Sequence, residues 1–363
     1  MTDTHTFNPT WASPPGDTIA DVLRERNLTQ ADLAERTGYT RKHINDLVRG
    51  RASISFEAAL KLETVLGSTA DFWMRREVQY REALARQELD QLHRASAPWL
   101  KRLPLASMIA MGWIEQHADK GRQVAECLRF FGVASVEAWD ETYNGPLAAF
   151  RASATSSVAG PAAAAWLRQG ERLAQGMPTA DYSATELRQR LPALRSLTTL
   201  TEPEAFVPAL TALCAEAGIA IVFLTTPKGC PAFGATKWLS PTKALLMLSN
   251  RYRTHDVLWF TFFHEVCHLL HHSKKMTVLE GADDLDEQLE SEADTFAANL
   301  LIPPAAAQRL ADLPHNAEAI AAFAREIGVA PGIVLGRMQQ QGLMAWSRCG
   351  ELKVRYEFAG GKG

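Results

Sequence analysis

Trp259-Phe260-Thr261-Phe262-Phe263-His264-Glu265-Val266-Cys267-His268 is an apolar segment that carries three ionisable residues within five positions, in the pattern HExxH. Asp256 precedes it and the run continues to His272, so it reads as one long helix. Side chains at i and i+4 share a helix face about one turn apart. The imidazoles of His264 and His268 can therefore reach a single Zn²⁺ at about 2.0–2.1 Å, with Glu265 on the side where water would approach. Composition alone yields this pattern on the order of once or twice per hundred chains of this kind. The competing reading is two core histidines on an apolar helix, and the surrounding sequence has to separate the two.

A catalytic zinc needs a third protein ligand and an open position. Glu290-Ser291-Glu292-Ala293-Asp294 supplies the candidate, on a predicted helix over 287–301 whose apolar face (Leu289, Phe296, Ala297, Leu300, Leu301) can pack beside the first. With Glu290 toward the metal, Asp294 lies one turn along and can accept the second N–H of a ligand histidine. Glu292 projects about 200° away from Glu290 and faces solvent. A solvated acidic face is the alternative, since Glu280, Asp283, Asp284, Asp286 and Glu287 precede these residues with no base among them.

The flanking sequence reads as α+β. A helix over 206–217 stops at Gly218, and Ile219 to Leu224, Phe233 to Leu239 and Ala244 to Ser249 read as short strands. Residues 317–340 are helical with a break near Gly328, and Leu352 to Phe358 alternates like a late strand. From 87 to 204 the sequence reads as helical, with Trp99, Trp113, Trp139 and Trp166 as core residues and no titratable cluster at ligand spacing. There Ala152 to Gly160 is a Ser/Ala-rich loop and Pro161 opens a helix through Trp166.

Residues 17–86, after a Pro-rich tail over 1–16, read as five short amphipathic helices. Thr29 and Thr40 are cap candidates, Gly38, Gly50 and Gly67 are breaks, and 69–86 is the last helix. The stretch 41–51 carries Arg41, Lys42, Arg49 and Arg51 against Asp46 alone, a local positive patch in a protein of net charge −3. A globally basic nucleic-acid binder is thereby excluded, but a local one is not.

At 363 residues there is room for two or three domains, and 47% hydrophobic with 22% charged residues is an ordinary globular composition. Collagen, rods and wholesale disorder are excluded. No apolar run approaches the roughly 18 residues of a membrane span, and the N-terminus lacks a secretory pattern, so a cytoplasmic protein with no membrane association is expected. Cys127, Cys214, Cys230, Cys267 and Cys349 form no CxxC pair and read as buried thiols.

The two motifs in order, from Trp259 to His268 and from Glu290 through Phe296-Ala297-Ala298-Asn299-Leu300-Leu301-Ile302-Pro303, make roughly 205–345 resemble the ImmA/IrrE metallopeptidase domains. That resemblance implies a zincin-like domain with one Zn²⁺ per protein molecule. The implied ligands are His264, His268 and Glu290, with Glu265 as general base. Cys267 stands where that family usually has glycine, a small-for-small exchange read as core packing. Gln30-Ala31-Asp32-Leu33-Ala34-Glu35-Arg36-Thr37-Gly38-Tyr39-Thr40-Arg41-Lys42-His43-Ile44-Asn45-Asp46-Leu47 resembles the XRE-type helix-turn-helix, closest to the HigA antitoxin branch. Small Ala34 permits close helix crossing. In that fold the second helix enters the major groove by its N-terminal end, which offers Thr40, Arg41, Lys42, His43 and Asn45 to DNA, with Arg49 and Arg51 on the backbone and Gln30 as a further contact.

The expected architecture is mainly α with an α+β domain: a helix-turn-helix bundle, a helical middle region over 87–204, a zincin-like domain with a small sheet, and a C-terminal strand and tail over 346–363. Two functions compete. In one, a DNA-binding regulator carries an active zinc endopeptidase whose protein substrate is a repressor or antitoxin. In the other, a repressor or antitoxin uses the peptidase-like domain only as a sensor or partner-binding module, and its helix-turn-helix unit can serve protein contacts alone. Intact Glu265 favours the first. Tyr252, His255 and His271 are the candidates for a transition-state donor. Because one unit reads too few base pairs for useful specificity, a homodimer on an inverted-repeat, double-stranded operator is expected.

Overall fold

The computed structural model describes residues 12–143, 159–249, 254–271, 278–279 and 287–356. The expected tail up to Trp11, the loop over 152–158, Tyr252, the acidic residues Glu280, Asp283, Asp284 and Asp286, and the end of the late strand at 357–358 lie outside these residues. The protein divides into two compact units, Met1–Ala95 with Lys120–Arg122, and Ser96–Asp119 with Gln123–Gly363. Mainly α with an α+β domain describes the result.

The smaller unit packs α1 (Pro15–Glu25), α2 (Gln30–Thr37), α3 (Arg41–Val48), α4 (Phe56–Leu66) and α5 (Ala70–Ala95). Ile19, Leu33, Ile44, Leu62 and Trp73 are fully buried at its centre. Both expected caps form: the Thr29 hydroxyl accepts the Asp32 amide while Asp32 accepts the Thr29 amide, and the Thr40 hydroxyl accepts the His43 amide. Gly38 takes a left-handed φ of 71°, which turns the backbone between α2 and α3. At Gly16 a Cβ would lie 1.9 Å from the Val48 carbonyl oxygen, so α1 meets the end of α3 only because the side chain is absent. One boundary differs from expectation. α5 runs nine residues past 86, because 87–95 holds neither glycine nor proline to stop it.

In the larger unit a four-stranded sheet has the order β1-β3-β2-β4, from β1 (Ile219–Phe223), β2 (Gly234–Ser240), β3 (Lys243–Leu248) and the two-residue β4 (Val278–Leu279). β1 and β3 are parallel, and the other pairs are antiparallel. Strand alternation sends Ile219, Ile221, Leu246 and Leu248 into one core and Ala220, Val222, Leu245 and Met247 into another, so both faces are covered. The second core contains Trp99, Trp113, Trp139 and Trp166. The middle helices therefore share the sheet with the downstream segment. These include α6 (Leu105–Ala110), α7 (Lys120–Phe131) and α8 (Ala159–Gln175). α8 begins two residues before Pro161, which sits in the first turn, where its missing N–H costs nothing.

The opposite face carries α9 (Ala184–Ser196), α10 (Pro203–Glu216), α11 (His255–His271), α12 (Glu287–Leu301), α13 (Ala317–Ile327) and α14 (Pro331–Gln340). Among the described residues the expected late strand shows one isolated bridge, Thr254 with Arg355, after a 3₁₀ turn at Gly350–Leu352. That bridge ties down the start of α11. The His255 amide donates to the Val354 carbonyl at 3.0 Å, and Lys353 pairs with Asp256 at 2.6 Å. No single helix among the described residues is long and apolar enough to cross a membrane.

One guanidinium gathers two helix ends. Arg195, on α9, donates Nε to the Leu300 carbonyl at 2.7 Å and Nη2 to the Leu301 and Ile327 carbonyls at 2.9 and 2.7 Å, with Nη1 3.5 Å from the Gly328 carbonyl. These are carbonyls that the last turns of α12 and α13 leave without an intrahelical donor. Arg195→Met keeps the stem but strands several acceptors. It should lower the stability of the larger unit by on the order of 3 kcal/mol. Urea unfolding followed by tryptophan fluorescence reads the loss, and an unchanged midpoint would show the clamp to be replaceable by water.

Candidate functional site

Along α11 every residue from Thr261 to Leu270 is buried, including His264, Glu265 and His268. Burying three polar side chains in an apolar layer requires partners. α12 provides them. Asp294 Oδ1 lies 2.9 Å from His264 Nδ1, Glu290 Oε2 lies 3.2 Å from His264 Nε2, and Glu290 Oε1 lies 3.4 Å from His268 Nε2. The two Nε2 atoms are 3.0 Å apart.

A carboxylate at Nδ1 makes that nitrogen the donor, which leaves the Nε2 lone pair of neutral His264 aimed at the other two groups. Three lone-pair donors of two residue types converge with little to share but a cation. Tetrahedral ligands at about 2.0–2.1 Å from zinc stand about 3.3 Å from one another, and the separations here are 3.0, 3.2 and 3.4 Å. The donor set fits the metal. Among the described residues, His264, His268 and Glu290 form a group able to hold an ion.

The Glu265 side chain reaches the start of β2, with both carboxylate oxygens shielded from solvent. Gly234, the first residue of β2, makes room for it: a Cβ there would stand 2.6 Å from Glu265 Oε1 and 2.6 Å from the Thr261 methyl. Sequence reading missed Gly234, since its role arises across space, and an unexplained glycine opening a strand was the one available signal.

Glu292 is exposed, where the helix geometry puts it, and accepts from Gln288 at 3.1 Å. His271 contacts Cys267 Sγ through Nδ1 at 3.3 Å and packs on Phe296, apart from the metal-ligand group. His255 precedes His264 by nine residues, about two and a half turns, and so lies on the other side of α11. There it accepts from Trp259 Nε1 at 3.1 Å and meets Tyr356, and burial lowers its pKa to about 4. It is a neutral core residue. Burial, with the Glu292 and Glu290 charges adding, pushes the Cys267 thiol up to about 11, so it stays protonated and packs as a small apolar group.

On the smaller unit, Gln30, Thr40, Arg41, Lys42, Arg49 and Arg51 are exposed, while His43 and Asn45 are half-buried. Several are already engaged. Thr40 caps α3, the His43 ring lies 4.5 Å from that of Tyr39, and Arg51 pairs with Asp46 at 2.9 Å. Arg41 and Lys42 project from the first turn of α3, where backbone N–H groups also face outward.

Residues 19–73 match the helix-turn-helix family and residues 231–338 match the IrrE N-terminal-like domain, a peptidase family. The protein is a fusion of an XRE-type helix-turn-helix domain with an IrrE-type peptidase domain. No curated protein gives a significant match to it. The fusion matches the XRE-type and ImmA/IrrE resemblances read from the sequence, and the IrrE-type segment spans β2, α11, α12 and nearly all of α14.

The contacts separate Asp294 from its neighbour in sequence. Asp294→Ala removes the carboxylate on His264 Nδ1 and should weaken zinc affinity about 10- to 100-fold, whereas Glu292→Ala should leave it unchanged. Competition against a chromophoric chelator measures both. Loss of metal in Glu292→Ala with retention in Glu290→Ala would reassign the third ligand.

Proposed function

We propose that this protein is a DNA-binding regulator whose larger unit is a zinc-dependent endopeptidase, acting on a repressor or antitoxin-type protein, itself included, in a stress, phage or mobile-element response. The observation that carries the reading is the convergence of His264, His268 and Glu290 on one point with Glu265 beside them on the same helix. When bound there, zinc supplies Lewis acidity that polarises a peptide carbonyl and brings the pKa of a water to about 7. Glu265 would be the base, taking a water proton at its carboxylate and passing it toward the departing amine. Asp294 keeps the proton of His264 on Nδ1, so that Nε2 remains a ligand throughout.

A domain used only for sensing has no need of a base at 265. Glu265→Gln keeps shape and burial, so it should retain zinc near one per protein molecule and lose cleavage, while His264→Ala or His268→Ala should lose the metal itself. Metal analysis, together with incubation against candidate repressors from the same genome and against the protein itself, distinguishes the outcomes. Cleavage by Glu265→Gln at the unaltered rate would overturn the assignment, and no cleavage by the zinc-loaded parent would favour the sensor reading.

The smaller unit is the proposed operator reader, working as a homodimer in the cytoplasm, with Arg41 and Lys42 on bases and phosphates. Arg41→Ala with Lys42→Ala should abolish operator binding and leave zinc content intact, and binding by the parent should fall steeply with salt as counterions are released. Footprinting decides this. An unchanged footprint in the double variant would make the unit a protein-docking module.

A further inference from the structure

A cavity of about 600 Å³ opens beside the metal-ligand group, between α11, α12 and α14. This is within the usual size of about 300–1,000 Å³ for ligand sites. Phe233, Phe260, Leu301, Ile302 and Ile333 make its apolar walls. It is continuous with the site: Asp294 lines it while holding His264, and the Phe260 ring lies 6.4 Å from that of His264. Trp346, 67% exposed, stands in its lining.

The charges within the cavity are unequal. Asp256 is neutralised by Lys353 at 2.6 Å. Arg337, on α14, has a buried Nε with no hydrogen-bond partner, and its guanidinium stands in no ion pair among the described residues. The residue is half-buried, and a buried Nε left so beside an apolar wall is costly unless something else satisfies it, while the planar fork of a guanidinium matches a carboxylate.

We infer that this cavity is a specificity pocket for a peptide that carries a large apolar side chain next to a carboxylate, the side chain lying against Phe260 and Ile333 and the carboxylate held by Arg337. The inference rests on reading the neighbouring group as a peptidase site. It deepens that reading by naming the substrate class. The carboxylate has two sources, an acidic side chain or a free C-terminus, and the same guanidinium serves either.

Ligand-observed NMR titration of the zinc-loaded, full-length protein tests it, with four probes: acetyl-Phe-Glu-amide, acetyl-Phe-Gln-amide, acetyl-Gly-Phe with a free carboxylate, and acetyl-Gly-Phe-amide. At least one acid should bind tenfold or more tightly than its amide partner, and which acid does so identifies the source. Arg337→Gln should abolish that preference, and Arg337→Lys, which keeps the charge, should retain most of it, separating loss of the cation from loss of fold. Equal affinities within both pairs, or no binding by any probe, would overturn the proposal. So would a preference that survives in Arg337→Gln, because the carboxylate would then be on the metal. The readout needs no turnover, so an inactive protein with an intact acid preference would sink the peptidase reading and leave the pocket standing.

Discussion

An apolar helix that buries two histidines and a glutamate within five residues cannot pack against hydrocarbon alone. The interior must supply a partner for each polar group or stay unfolded there. α12 answers for the histidines with Glu290 and Asp294, and β2 makes room for the Glu265 carboxylate by withholding a side chain at Gly234. The geometry that suits a metal is thus the same geometry that makes α11 tolerable as a core element. Zinc would complete it by replacing the mutual crowding of three lone pairs with a shared cation.

The sheet shows how the rest of the unit serves this helix. Because both faces are covered, β3 is buried along nearly its whole length and gives α11 a rigid floor. The middle helices, which hold none of the candidate ligands, close the far face with a cluster built on Trp99, Phe131 and Trp139. Their contribution is to keep that floor dry. The start of α11 is fixed independently, by Lys353 on Asp256 and the bridge at Thr254.

Much of this was legible because it repeats with the period of a helix. His264 and His268, or Glu290 and Asp294, are pairs whose spacing alone puts them on one face, and Thr29, Gly38 and Thr40 mark turns by local chemistry. What stayed hidden depends on contacts between distant segments. The sharing of the sheet by the middle helices is one example, although the unbroken apolar runs at Ile219 to Phe223 and Ala244 to Leu248 carried a hint of two covered faces. β4, at two residues, is too short to leave a pattern. Arg195, Gly234 and Arg337 look ordinary in sequence, and only their surroundings give them roles. The late strand shows one bridge among the described residues, and alternation over 352–358 says nothing about whether a neighbouring edge is free to pair.

The acceptors of Arg195 lie 105 to 133 residues beyond it in sequence. By contrast, the smaller unit is built almost wholly from the first 95 residues and closes over short loops. Distant closure loses loop entropy before any contact rewards it. On a ribosome, the helix-turn-helix unit can therefore be complete while Arg195 still waits for α12 and α13 to emerge. A message cut short before Leu300 would yield a finished helix-turn-helix unit while Arg195 still lacked every one of its acceptors, so the order of synthesis itself completes the DNA-binding fold ahead of the peptidase-type one.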